Sequence, residues 1–154
     1  MEINELKKRA AIDQNKRLTD SYVQFDKLLT ELRKRELPDE VVQSINTGID
    51  LINPPSGSEE EWRKQIRKTQ SDILRLIEKE LKLVPKNHYR NIWLALGLAA
   101  FGIPLGVVFG VSLGNMAFLA IGLPFGISIG LALGSGLDKK ALEEGRQLDV
   151  EINH

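Results

Sequence analysis

The sequence predicts an all-α membrane protein, with about three helices in a cytoplasmic segment followed by a transmembrane helical hairpin that carries GxxxG repeats. Three observations predict it. Residues 92–137 form a run of 46 without one charged side chain. Within that run glycine returns at every fourth position, in GIPLGVVFGVSLG (102–114) and again in GLPFGISIGLALG (122–134), and the two stretches hold eight of the chain's 13 glycines. Ahead of the run, apolar residues recur at helical spacing in a charged segment with 18 Lys and Arg against 16 Asp and Glu up to residue 91.

Residues 1–84 read as the cytoplasmic helical or coiled-coil domain. Leu18, Tyr22, Phe25, Leu29 and Leu32 are spaced four, three, four, three, an a/d stripe. Upstream, Ile3, Leu6 and Ala10 extend the pattern weakly, so the first helix is expected to fray. It stops before Leu37-Pro38, since the residue before proline avoids the helical region. A second helix opens at Pro38, with Asp39 and Glu40 suited to the N-terminal dipole and Val42, Ile45, Ile49 and Ile52 as its apolar face. NPPSGS (53–58) is the linker. Ser58 and Glu61 fit a capping box for a third helix, whose stripe is Trp62, Ile66, Thr69, Ile73, Leu76 and Glu80 and which ends near Leu83. About eighty residues bury a marginal core, which favours partner helices over a self-contained three-helix bundle.

Residues 85–91 form the juxtamembrane segment, where Pro85 breaks the third helix. Residues 92–137 are long enough for two crossings of a bilayer core about 30 Å thick, at about 20 residues each. The turn-prone Gly114-Asn115 pair divides them into spans at 92–113 and 116–137. Lys82, Lys86 and Arg90 precede the first span, Lys139, Lys140 and Arg146 follow the second, and the turn has no Lys or Arg. The positive-inside rule then places both termini in the cytoplasm. Tyr89, Arg90, Trp93, Lys139 and Lys140 are the expected membrane-interface residues. Residues 138–154 are a charged cytoplasmic tail.

Period four on a 3.6-residue helix keeps the glycines on one slowly drifting face. Gly102, Gly106, Gly110 and Gly114 make one groove; Gly122, Gly126, Gly130 and Gly134 make another. In lipid, helices associate through close packing that small residues permit, so these are helix-packing faces. They close either on each other within one hairpin or between subunits of an oligomer. Pro104 and Pro124 each remove a backbone hydrogen bond and are expected to kink a span.

Absence of cysteine excludes disulfides, zinc–thiolate sites, iron–sulfur ligation and thiol catalysis. His88 and His154 are the only histidines, no metal-binding spacing or P-loop occurs, and no catalytic residue, metal or cofactor is expected. The basic clusters Lys7-Lys8-Arg9, Arg33-Lys34-Arg35 and Arg63, Lys64, Arg67 and Lys68 are interleaved with acidic residues, so nucleic acid is not expected as a partner. The expected partners are membrane lipid, a homo-oligomer and a cytoplasmic protein. The leading function is a non-enzymatic membrane anchor and assembly or adaptor module. The alternative is an oligomeric pore or membrane-permeabilising effector, although the spans' polar groups are three serines and none ionises.

The stretch NIWLALGLAAFGIPLGVVFGVSLGNMAFLAIGLPFGISIGLALGSGLDKKALEEGRQLD (91–149) resembles a group of small, uncharacterised bacterial two-span membrane proteins, glycine-zipper hairpins with a cytoplasmic helical segment in front. The resemblance implies the architecture above and the bacterial inner membrane as its location. It implies no activity and carries over no functional residue.

Overall fold

The computed structural model describes residues 1–8, 12, 15–53 and 57–152; Arg9, Ala10, the centre of the linker (54–56) and His154 lie outside them. The chain is mostly helical and divides into two units, Met1–Pro85 with Leu148–His154, and Lys86–Gln147.

Three helices build the first unit: α1 (Lys16–Arg33), α2 (Asp39–Ile52) and α3 (Glu59–Leu81). Asn15 caps α1, its side chain accepting from the Leu18 N–H, and Leu18, Phe25, Leu28, Leu29 and Leu32 are buried. Tyr22, also on the expected stripe, is half-buried, and its hydroxyl donates to the Leu6 carbonyl at 2.9 Å. Burial first, then the charges of Asp26 and Glu5, raises its pKa, so it remains a donor. On α2 all four expected apolar residues are buried, with Val41 beside them. The third stripe departs from expectation after Ile73: Ile77 is buried, Leu76 is half-buried and Glu80 is exposed. A straight helix drifts against a four-three repeat, so a stripe of 23 residues cannot keep that register to its end.

Ser58 and Glu61 form the capping box, with the Ser58 N–H donating to Glu61 Oε2 at 2.8 Å and the Glu61 N–H to Ser58 Oγ at 3.3 Å. The bonds from the Ser58 backbone, then its hydroxyl, hold the Glu61 pKa below its ordinary value of 4.5. A depressed carboxylate contributes stability above its unfolded pKa and loses it as pH falls through the folded value. Ser58→Ala removes the capping hydroxyl and should cost about 1 kcal/mol at neutral pH, the ordinary contribution of an N-cap. The cost should shrink as acid titrates Glu61, read as the difference in urea midpoint between variant and parent across pH.

Two features amend the all-helical expectation. Residues 1–8 form no regular secondary structure; Ile3 and Leu6 pack into the helical core. The tail is not simply charged and solvated. α3 ends at Lys82 in the left-handed region (φ 57°), the Leu83 N–H returns to the Ile77 carbonyl, and the chain enters β1 (Val84–Lys86), which pairs with β2 (Gln147–Glu151). Pro85 is tolerated because a two-stranded sheet consists of edges. Leu148, Val150 and Ile152 alternate with Asp149 and Glu151, the period of a strand, and all three join the core.

The second unit is a helical hairpin. Its first arm runs 25 residues from His88 to Ser112 as α4 (His88–Gly97), a π-helical turn (Leu98–Gly102) and α5 (Ile103–Ser112). The π turn lies directly ahead of Pro104, which has no N–H to give; the Ile103 N–H reaches the Leu98 carbonyl, five residues back. The second arm runs 28 residues, from a 3₁₀ turn (Met116–Phe118) into α6 (Leu119–Glu143), which continues through Pro124 and past the expected end at 137. Both arms are long and apolar enough to cross a membrane: at about 1.5 Å per residue each exceeds the roughly 30 Å of a bilayer core.

Candidate functional site

The hairpin seam is built from backbone. Between residues 88 and 143 the buried positions are eight glycines, Asp138 and Ala141. A methyl group on Gly122 would lie 2.7 Å from the Gly106 Cα and closer still to the Gly102 carbonyl oxygen. On Gly126 it would meet the Gly97 oxygen at 2.7 Å and the Gly102 Cα at 2.8 Å; on Gly130 it would strike the Trp93 oxygen and sit 2.9 Å from the Leu94 Cα. On Gly134 it would lie 2.5 Å from the Arg90 Cα and 2.8 Å from the Tyr89 oxygen. Seven of the eight expected packing glycines thus meet the facing arm or the turn within one chain; Gly110 faces Met116 there, with its methyl position 3.1 Å from the Met116 Sδ.

The eighth does not. Gly114 has nothing within 4 Å of a methyl position and stands at φ +64°. It is the turn glycine, supplying a left-handed conformation, and Asn115 closes the turn by accepting from the Ala117 N–H at 2.9 Å. Conversely, Gly97 belongs to the seam, with a methyl position 2.9 Å from the Gly130 Cα. It sits five residues before Gly102, outside a period of four. The π turn absorbs the extra residue and returns Gly97 to the same face. The pentapeptide spacing ahead of a proline was its signal.

One side chain extends the seam. Asp138 lies four residues beyond Gly134 on α6 and is 8% exposed. Its two carboxylate oxygens accept the Tyr89 N–H at 3.0 Å and the Arg90 N–H at 2.9 Å. Asn87, which precedes α4, gives no side-chain cap, so a residue 49 positions away supplies the missing acceptor for the helix N-terminus. The close backbone approach at Gly134 makes that reach possible.

The expected interface residues therefore divide. Tyr89, Arg90 and Trp93 bring their backbones into the seam. Lys139 and Lys140 point out, paired at i,i+4 with Glu143 and Glu144 at 3.8 and 3.9 Å. The large apolar side chains point out too: Ile103, Val108, Val111 and Phe125 are each at least half exposed. Among the described residues no three His, Asp or Glu converge as metal ligands would. No protein-family model, no curated protein and no solved structure matches the chain.

Proposed function

We propose that the chain is a non-enzymatic integral membrane protein of the bacterial cytoplasmic membrane, whose hairpin is an anchor folded as a glycine zipper and whose helical unit is an assembly or adaptor module. The observation that carries the reading is the inversion of the hairpin: glycine and backbone inside, Val, Ile, Leu and Phe outside. A water-soluble protein buries those side chains and rarely exposes a contiguous patch of them. In hydrocarbon they face a matching solvent, while small residues let the helix backbones touch. The charge flanks support an orientation with both termini in the cytoplasm. Because the glycine faces fill one another inside a single hairpin, contact with other chains is assigned to the helical unit.

The chain has no cysteine, so single cysteines report its topology cleanly. In intact cells a membrane-impermeant maleimide should label Asn115→Cys and leave Lys68→Cys untouched until the cells are opened. Release of the protein by alkaline carbonate would refute the anchor, and the reverse labelling pattern would refute the orientation.

A further inference from the structure

The N-terminal segment is held by side-chain amides that act as strand backbone would. Asn46 of α2 accepts the Asn4 N–H at 2.7 Å and donates to the Glu2 carbonyl at 2.8 Å. Asn53 repeats the pattern, accepting the Lys7 N–H at 2.9 Å and donating to the Glu5 carbonyl at 2.8 Å. The two asparagines are seven residues apart, about 10.5 Å along a helix. The residues they hold are three apart, about 10 Å in extended backbone. The two pitches agree only if the segment is nearly straight.

From α1, Arg33 donates to the Ile3 carbonyl at 3.4 Å and the Asn4 carbonyl at 2.7 Å, and Tyr22 takes the Leu6 carbonyl. Five consecutive carbonyls are thereby satisfied without a sheet. Of residues 1–8 only Ile3 and Leu6 are buried. The groove takes a main chain and two apolar side chains three apart, and it also binds the Met1 amino group through Asp39 at 2.9 Å and the Asn4 side-chain amide through Asp50 at 3.2 Å. An open cleft of about 560 Å³ runs beside Met1 and Ile3, lined by Leu32 and Val42 together with charged Glu5, Arg33 and Arg35.

We propose that the α1–α2 groove is a peptide-binding site for an extended segment with apolar residues at i and i+3, occupied in cis by residues 1–8 and open to such a segment of a partner protein in trans. This gives the adaptor role proposed above its docking site and rests on that role, although binding can be read whatever the labelling experiment says of the membrane. Residues 1–8 belong to the same chain as the groove, and a short covalent connection sets an effective concentration of roughly millimolar. A trans peptide of similar strength therefore competes poorly until the strap is loosened.

The test uses the full chain in detergent micelles and a fluorescein-labelled peptide with the sequence of residues 1–8. Ile3→Asp with Leu6→Asp releases the strap and should tighten peptide binding at least tenfold over the unaltered chain. Adding Asn46→Leu and Asn53→Leu should abolish binding with helix content unchanged. Equal affinity of the released and unaltered chains, or binding that survives loss of both asparagines, would overturn the proposal. Hydrogen exchange on the unaltered chain decides the matter if the released variant does not fold. The Asn4 and Lys7 amides should exchange at least a hundredfold faster than those of Leu28 and Leu29; equal protection would mean that the strap leaves only when the unit unfolds.

Discussion

Gly122→Ala or Gly130→Ala should force the two arms of the hairpin apart. Alanine normally improves a helix by about 1 kcal/mol over glycine, so the sign of the effect is set by what the methyl group meets. At both positions it meets backbone of the facing arm inside contact distance. Overpacking typically costs 1–3 kcal/mol when neighbouring side chains can shift; backbone cannot rotate away, so about 3 kcal/mol is expected. Three other glycines calibrate the result. Gly136 has nothing within 4 Å of a methyl position, and Gly136→Ala should stabilise by up to about 1 kcal/mol. A methyl on Gly102 has its nearest atom at 3.4 Å, so Gly102→Ala should be nearly neutral. Gly114→Ala places a side chain at φ +64° and should cost about 1–2 kcal/mol. Thermal melting in micelles should rank the variants, from highest to lowest midpoint, as Gly136→Ala, Gly102→Ala, Gly114→Ala, and last Gly122→Ala and Gly130→Ala. Equal midpoints for Gly122→Ala and Gly136→Ala would show that the seam does not hold the hairpin.

Periodicity made the helices legible. The four-three spacing located α1 and most of α3, Pro38 and Ser58 marked where two helices begin, and an uncharged run of 46 residues marked the hairpin. What stayed hidden depends on partners far away in the chain. Ile3 and Leu6, three apart, fit a weak helix as well as a strap; only the Asn46 and Asn53 amides, more than 40 residues on, decide between them. Leu148, Val150 and Ile152 alternate as a strand does, but charges between them and a charged helix end before them resemble a solvated tail. Gly97 fell outside the period because the helix itself changes register at the π turn.

Asp138 was the most deeply hidden, since nothing in its neighbourhood distinguishes it from Lys139 and Lys140, and its removal should have the second-largest effect. Asn87 is in the left-handed region at φ 58° and gives α4 no side-chain cap, so the Tyr89 and Arg90 N–H groups turn to Asp138. Both Asp138 oxygens are committed to them, and the anion also suits the positive end of the helix dipole. Asp138→Ala leaves two donors unsatisfied in a site closed over by the Gly134 contact. Hydrogen bonds to a charged group contribute about 1.5–3 kcal/mol, and stranding a buried donor costs a similar amount, so a loss of about 3 kcal/mol is expected. Asp138→Asn keeps one oxygen and should lose about half of that. Lys139→Ala removes an ion pair whose side chains are 76% and 64% exposed and should change stability by less than about 0.5 kcal/mol. The readout specific to the cap is local: exchange of the Tyr89 and Arg90 amides should accelerate at least tenfold in Asp138→Ala and stay unchanged in Lys139→Ala. Unchanged exchange at both amides in Asp138→Ala would mean that the carboxylate does not cap α4, and the stability of the hairpin entrance would then fall to the glycine seam alone.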